Sequence, residues 1–345
     1  MILTVTLNPS LDRAMEIDRL ARGEVIRAAS AHLDPGGKGV NVSRALLANG
    51  VPSRAVLPVG GEEGAQLVRL LESEGVELLV VPIAGRTRSN ITLAEPDGTV
   101  TKINESGPVL TGPEFAEVTR AVLAAADSAD WVVACGSVPP GLPVAAFGDL
   151  CARLVDAGVR LAVDTSGPAL RAAAEAGVAL VKPNREELAE AVGAPLRSLG
   201  DVVDAAAQVR TWGAGTVLAS LGADGAVLVD AKGVVTGESP VAQPKSTVGA
   251  GDALLAGFLA AGARGPDALA EGLAWGAAAV SLPGSRMPGP ADLLRNTVRV
   301  HPGRTWSGHC CHRAEPVMSG SQRQHPERRP TPEADGMTFE PGRVR

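Results

Sequence analysis

The chain reads as an α/β protein, a mostly parallel sheet with helices packed on its faces, and three observations carry that reading. From the N-terminus almost to residue 300, short β-branched runs alternate with stretches of helical periodicity, the order that βαβ units produce. At 345 residues with 45% hydrophobic side chains, the chain can bury a large core. One segment, 86–107, breaks the alternation with a hairpin pattern and predicts a small additional β layer.

The elements follow in order. The start Met1-Ile2-Leu3-Thr4-Val5-Thr6-Leu7 has no basic leader and is far too short to span a bilayer, so it predicts a first strand over 3–7 and a cytoplasmic protein. Further core strands are expected at 54–59, 76–81, 131–135, 160–164, 179–182, 216–220 and 226–230. Helices are expected at 40–49, 62–74, 113–126, 143–156 and 202–212. Residues 12–33 hold no helical pattern, and Ile91 and Leu93 precede a turn at Asp97-Gly98 that leads to Val100 and Ile103. Together 12–33 and 86–107 predict a β layer beside the main sheet, the kind of appendage that closes over a site as a lid. From His301 the periodicity disappears into Pro, Gly, Arg, Ser and Glu, which predicts a domain over 1–300 and a disordered tail over 301–345.

Composition excludes several functions. A net charge of -6 argues against nucleic acid or an anionic membrane as partner, and 2% aromatic residues with no Tyr leaves few platforms for stacked bases. Four cysteines in so long a chain give no disulfide framework. His309-Cys310-Cys311-His312 lacks the spacers that let four ligands converge on one metal.

The chemistry gathers in loops after strands, where open parallel sheets bind ligands. Thr247-Val248-Gly249-Ala250-Gly251-Asp252 stands before an apolar helical run, so its glycines can present free N–H groups to an anion at a helix mouth. Asp252 is then either an N-cap or a base that takes a proton from a group attacking a phosphate. Asn8-Pro9-Ser10-Leu11-Asp12 and Pro35-Gly36-Gly37-Lys38-Gly39-Val40-Asn41 match neither a Walker A loop nor a dinucleotide fingerprint. Asp12 and Asn41 suit polyol hydroxyls, Gly37 allows close approach, and Lys38 offers a charge to a phosphate, although a plain loop entering a helix explains the glycines as well.

Arg86-Thr87-Arg88-Ser89-Asn90 would put Arg88 and Asn90 on the lid, or would be an exposed basic turn. In Lys182-Pro183-Asn184-Arg185-Glu186-Glu187, Asn184 and Glu187 have capping-box spacing, and they could equally hold waters on Mg²⁺ while Lys182 faces nucleotide phosphates. Ser220-Leu221-Gly222-Ala223-Asp224-Gly225 is a glycine turn able to lie along a nucleotide, and the turn from Gly136 to Gly141 places Ser137 near a sugar.

These motifs in this order resemble the PfkB/ribokinase-like carbohydrate kinases, specifically the branch of 1-phosphofructokinases and tagatose-6-phosphate kinases, over residues 1–300. The resemblance implies a ribokinase-like three-layer α/β/α sandwich with a small β-sheet lid. It also implies transfer of the γ-phosphoryl group of ATP, with Mg²⁺, to a sugar phosphate. It makes Asp252 the general base and Gly249, Ala250 and Gly251 the anion hole. Asp12, Gly37, Asn41, Asn90 and Ser137 would hold the sugar, with Lys38 and Arg88 on its phosphate. Lys182, Asn184, Ser220, Gly222 and Gly225 would border ATP, while Asn184 and Glu187 reach Mg²⁺ through water. The expected reaction is fructose 1-phosphate to fructose 1,6-bisphosphate, with tagatose-6-phosphate kinase, 6-phosphofructokinase or a catalytically silent sensor as alternatives. A homodimer through the lid completes the expectation.

Overall fold

The computed structural model describes residues 1–303. The N-terminal part runs β1 (Ile2–Thr6), β2 (Ser10–Glu16), β3 (Ser30–Gly36), α1 (Lys38–Ala48), β4 (Ser53–Val59), α2 (Gly61–Glu74), β5 (Glu77–Pro82), β6 (Arg88–Ala94) and β7 (Val100–Asn104). There follow α3 (Gly112–Ala126), β8 (Trp131–Cys135), α4 (Val144–Asp156), β9 (Leu161–Asp164), α5 (Gly167–Glu175), β10 (Leu180–Val181), α6 (Arg185–Val192), α7 (Leu199–Thr211) and β11 (Thr216–Ser220). The last elements are β12 (Ala226–Asp230), β13 (Gly233–Glu238), α8 (Ala250–Ala260), α9 (Gly265–Val280) and β14 (Arg299–Pro302).

Ten strands form one sheet in the order β14-β13-β12-β11-β10-β9-β8-β1-β4-β5, parallel from β11 through β5 and antiparallel from β11 to β14. Because successive side chains point to opposite faces, each strand feeds two cores. Leu3, Val5, Val132, Ala134, Leu161, Val163 and Val217 meet α3 to α7, whereas Ile2, Trp131, Val133, Ala162 and Leu218 meet α1, α8 and α9. Val40 and Leu57 pack with Leu67 and Leu71 of α2 on that second side. The result is the three-layer α/β/α sandwich expected. A separate sheet, β3-β2-β6-β7, is the small β layer, spanning Ser10–Gly36 and Arg88–Asn104.

The structure corrects the sequence reading at several places. Helix α1 begins at Lys38, two residues before the expected 40, because Gly37 supplies the non-helical N-cap with φ 121°. Helix α9 was not anticipated: its sequence is small and apolar on nearly every side, since it is buried between α8 and the sheet edge, and so lacks a polar stripe. The short α5 and strands β13 and β14 were also missed. Strand β14 pairs with β13 as far as Pro302, so regular strand structure reaches two residues past 300. The remainder of the expected tail, with the His309 to His312 cluster, lies outside the described residues. No described helix is long and apolar enough to cross a membrane, and the described thiols Cys135 and Cys151 are free and buried.

Candidate active site

Asp252 lies in the first turn of α8, whose N-cap Gly249 has φ 75°, a left-handed backbone that favours glycine, with the Met287 methyl close against it. The first i to i-4 bond of the helix runs from the Ala253 amide to the Gly249 carbonyl at 2.8 Å, so the amides of Gly251 and Asp252 are left facing the helix mouth. Asp252 caps nothing: its Oδ2 accepts from Asn41 Nδ2 at 2.9 Å, across the contact of α1 with α8. Burial, with the charge of Asp164 adding, pushes its carboxyl up to about 6, while the Asn41 bond and the two lysines beside it hold it lower. A carboxylate poised there can accept a proton near neutral pH. Asn41 Oδ1 has no partner among the described residues, which leaves an acceptor for a ligand hydroxyl beside the base.

Next to it is a charge cluster that sequence reasoning only half anticipated. Asp164, the last residue of β9, is fully buried and takes Lys182 Nζ on one oxygen at 2.8 Å and Lys38 Nζ on the other at 2.7 Å. Lys38 also donates to Glu187 Oε1 at 3.0 Å. Burial alone would raise Asp164, but Lys182 and Lys38 hold it below the usual carboxylate range. Burial likewise opposes the Lys38 ammonium, yet Asp164 and Glu187 raise it above ordinary lysine. Lys182 Nζ lies 3.4 Å from where a Gly251 Cβ would be, so its ammonium faces the helix mouth. The signal for Asp164 was a carboxylate ending the apolar run Leu161-Ala162-Val163, at the strand end where ligands bind.

Each expected residue has a definite place. Lys38, expected on the sugar phosphate, is paired with the buried Asp164 and the partly buried Glu187. Asn184 and Glu187 form the capping box of α6, and the same Glu187 carboxylate reaches Lys38 through its other oxygen, so the capping and polar readings coexist. Asn184 bridges to Ser220, which brings the Lys182 and Ser220 turns together, and Gly222 and Gly225 flank the short turn between β11 and β12. On the lid, Asn90 Nδ2 donates to Asp12 Oδ1 at 2.8 Å and to Ser10 Oγ at 3.0 Å. Arg88 donates to the carbonyls of Asn8 and Glu105 and to Asn90. Ser137 accepts from Asn8 Nδ2 at 3.1 Å. A cleft of about 1550 Å³ runs between the lid face of Asp12 and Thr92 and the segments holding Ser246, Val248 and Met287.

This arrangement has known counterparts. The profile of the pfkB family carbohydrate kinases matches residues 5–292. A 1-phosphofructokinase of Rhodobacter capsulatus is 37% identical over 310 residues, covering 87% of this chain and 97% of that protein. The ATP-dependent 6-phosphofructokinase isozyme 2 of Escherichia coli is 35% identical over 292 residues, covering 83% and 94%. The crystal structure of phosphofructokinase-2 from Escherichia coli in complex with fructose-6-phosphate superposes with a TM-score of 0.79 at 33% identity, covering 84% of this chain and 96% of that one. With similarity of this extent over nearly all of the described residues, the chain belongs to the pfkB family of carbohydrate kinases.

Proposed function

We propose that the protein is an ATP-dependent 1-phosphofructokinase, moving the γ-phosphoryl group of ATP to the free C6 hydroxyl of fructose 1-phosphate. The observation that carries this reading is Asp252, a buried carboxylate held near neutrality at an open helix mouth with Asn41 at its side. The C6 oxygen forms its bond to the γ-phosphorus as the bond to the β-γ bridging oxygen breaks, ADP leaves, and the hydroxyl proton passes to Asp252. The amides of Gly251 and Asp252, at the positive end of the α8 dipole, suit the equatorial oxygens where charge accumulates. Gly249 and Ala250 shape that turn. Lys182 adds a positive charge at the same mouth, and Lys38, bound between Asp164 and Glu187, belongs with the nucleotide side in this reading. Asn184, Ser220, Gly222 and Gly225 would line the nucleotide. Asp12, Gly37, Asn90, Arg88 and Ser137 would surround the sugar phosphate under the lid.

Magnesium fits this site as an ion carried by the nucleotide. Among the described residues no three His, Cys, Asp or Glu side chains gather to hold a metal by themselves, and Mg²⁺ keeps several waters and binds phosphates with few protein ligands. Glu187, with Asn184, would hold its waters, and the ion would supply charge neutralisation of the phosphates.

Fructose 1-phosphate is favoured as acceptor because relatives named 1-phosphofructokinase match over nearly their whole length. A coupled assay with fructose 1-phosphate, fructose 6-phosphate and tagatose 6-phosphate at equal concentration is expected to give the highest kcat/KM with the first. Preference for either 6-phosphate overturns that assignment and leaves the kinase reading intact. Binding of a sugar phosphate with no ATP turnover on any acceptor would favour a silent sensor instead.

A second copy of the chain is the proposed partner. Strand β7 is a free edge of the lid sheet, and its Val100 and Ile103 are 53% and 55% exposed. An unpaired edge with exposed apolar side chains invites pairing. Sedimentation velocity should give twice the chain mass, and Val100→Lys with Ile103→Lys should give the monomer. A wild-type monomer at micromolar concentration would end the proposal.

A further inference from the structure

We infer that Asn8 is a positioning residue for acceptor-phosphate recognition, joining the base of the lid to the sandwich floor through its side-chain amide and its carbonyl. The inference deepens the acceptor site proposed above and rests on it. Asn8 follows strand β1 and precedes Pro9, which biases its backbone toward an extended form. It is 4% exposed, and nothing in the reaction as described so far uses it.

Its contacts converge on the groups assigned to the phosphate. The amide Nδ2 donates to Ser137 Oγ at 3.1 Å and to the Ser106 carbonyl, on the chain leaving the lid, at 3.0 Å. Its backbone carbonyl accepts from Arg88 Nε, on the chain entering the lid, at 3.2 Å. Arg88 is braced from the other side by the Glu105 carbonyl at 3.1 Å, and Glu105 Oε2 accepts the Ser89 amide at 2.9 Å. One small residue therefore ties both lid connections and the loop after β8 to a single point.

The fit is specific. Gly107 has φ 93°, and a Cβ there would overlap the Asn8 side-chain carbonyl oxygen, which has no partner among the described residues. A buried amide that uses both donors and leaves its oxygen bare is held for what those donors orient. Ser137 donates onward with its own hydrogen, since its oxygen already accepts from Asn8. That leaves the Ser137 hydroxyl and Nη2 of Arg88, whose Nε and Nη1 are taken by the Asn8 and Glu105 carbonyls and by Asn90, as paired donors for an oxyanion, with a spacing set by Asn8.

The test uses the full chain with saturating ATP and four acceptors: fructose 1-phosphate, fructose 6-phosphate, tagatose 6-phosphate and unphosphorylated fructose. Asn8→Ala is expected to raise the KM of the phosphorylated acceptor at least about tenfold while the KM for ATP stays within about twofold. Its preference for phosphorylated acceptor over fructose should fall by a similar factor, which a purely structural role would not produce. Asn8→Asp keeps the size, removes the donor, and should behave alike if the alanine variant folds poorly. The double variant Asn8→Ala with Ser137→Ala should be no more than about twofold worse than the poorer single variant. Equal rises in both KM values, or fully additive losses, overturn the inference. A wild type that phosphorylates no sugar phosphate defeats the functional reading and this inference with it. An active wild type with unshifted variants defeats this inference alone.

Discussion

Asp252→Asn lowers turnover by at least about a hundredfold and leaves the KM for the acceptor nearly unchanged, because the amide keeps the shape and loses the proton acceptor. Near-normal turnover in a coupled assay would remove Asp252 as base. The wild-type pH profile carries the same assignment. Burial and the charge of Asp164 push the carboxyl up to about 6, and kcat/KM reports groups of the free enzyme, so activity should fall with a one-proton slope below that pH. The residual rate of the variant should lack that limb. Stability responds with the opposite sense to a salt-bridged acid. A carboxyl raised in the folded state favours folding fully below its ordinary value and loses that contribution as pH rises through about 6. Asp252→Asn should therefore melt no lower than the wild type, and higher above pH 6, as expected where a buried site is strained for function.

The second large effect is expected at Asp164. Asp164→Ala leaves Lys182 buried with no carboxylate and Lys38 with Glu187 alone, and breaking a buried pair from one side costs roughly 3–5 kcal/mol. The midpoint of urea unfolding should fall accordingly. Because Asp164 is one of the causes that raise Asp252, the acid limb of whatever activity survives should move below 6. Asp164→Asn preserves the volume and one acceptor, and should move the limb the same way with a smaller loss of stability. An unchanged midpoint together with an unchanged limb would show that the two lysines find other partners.

Both effects bear on what could be read before the structure. The parallel strands were legible because β1, β8 and β9 are buried on both faces and so read as short, mostly apolar and β-branched runs without the alternation of a half-exposed strand. The lid was legible from the turn at Asp97-Gly98 between two runs that carry Ile91 and Leu93 on one side and Val100 and Ile103 on the other. Helix α9 was not, because a helix enclosed by α8 and the sheet edge carries no polar stripe to reveal its period. At the site, motifs with glycine announced themselves, since glycine marks a backbone requirement that sequence records. The pairing of Asp164 with Lys38 and Lys182 links positions 126 apart in one case, and no local pattern encodes it. Nothing local to Lys38 signals its pairing with the buried Asp164 and the partly buried Glu187.

The placement of β1 also governs when the protein can act. This first strand is interior to the sheet, third from the β5 edge, and its register with β8 matches Ile2 to Trp131. At about 5–20 residues per second, a ribosome needs many seconds to supply that neighbour. Asp252 comes later still, on a helix that packs between α1 and α9. A nascent chain thus carries Asp12 and Arg88 well before Asp252, the proposed base, is made, so on that proposal an unfinished polypeptide lacks the group that takes the acceptor proton.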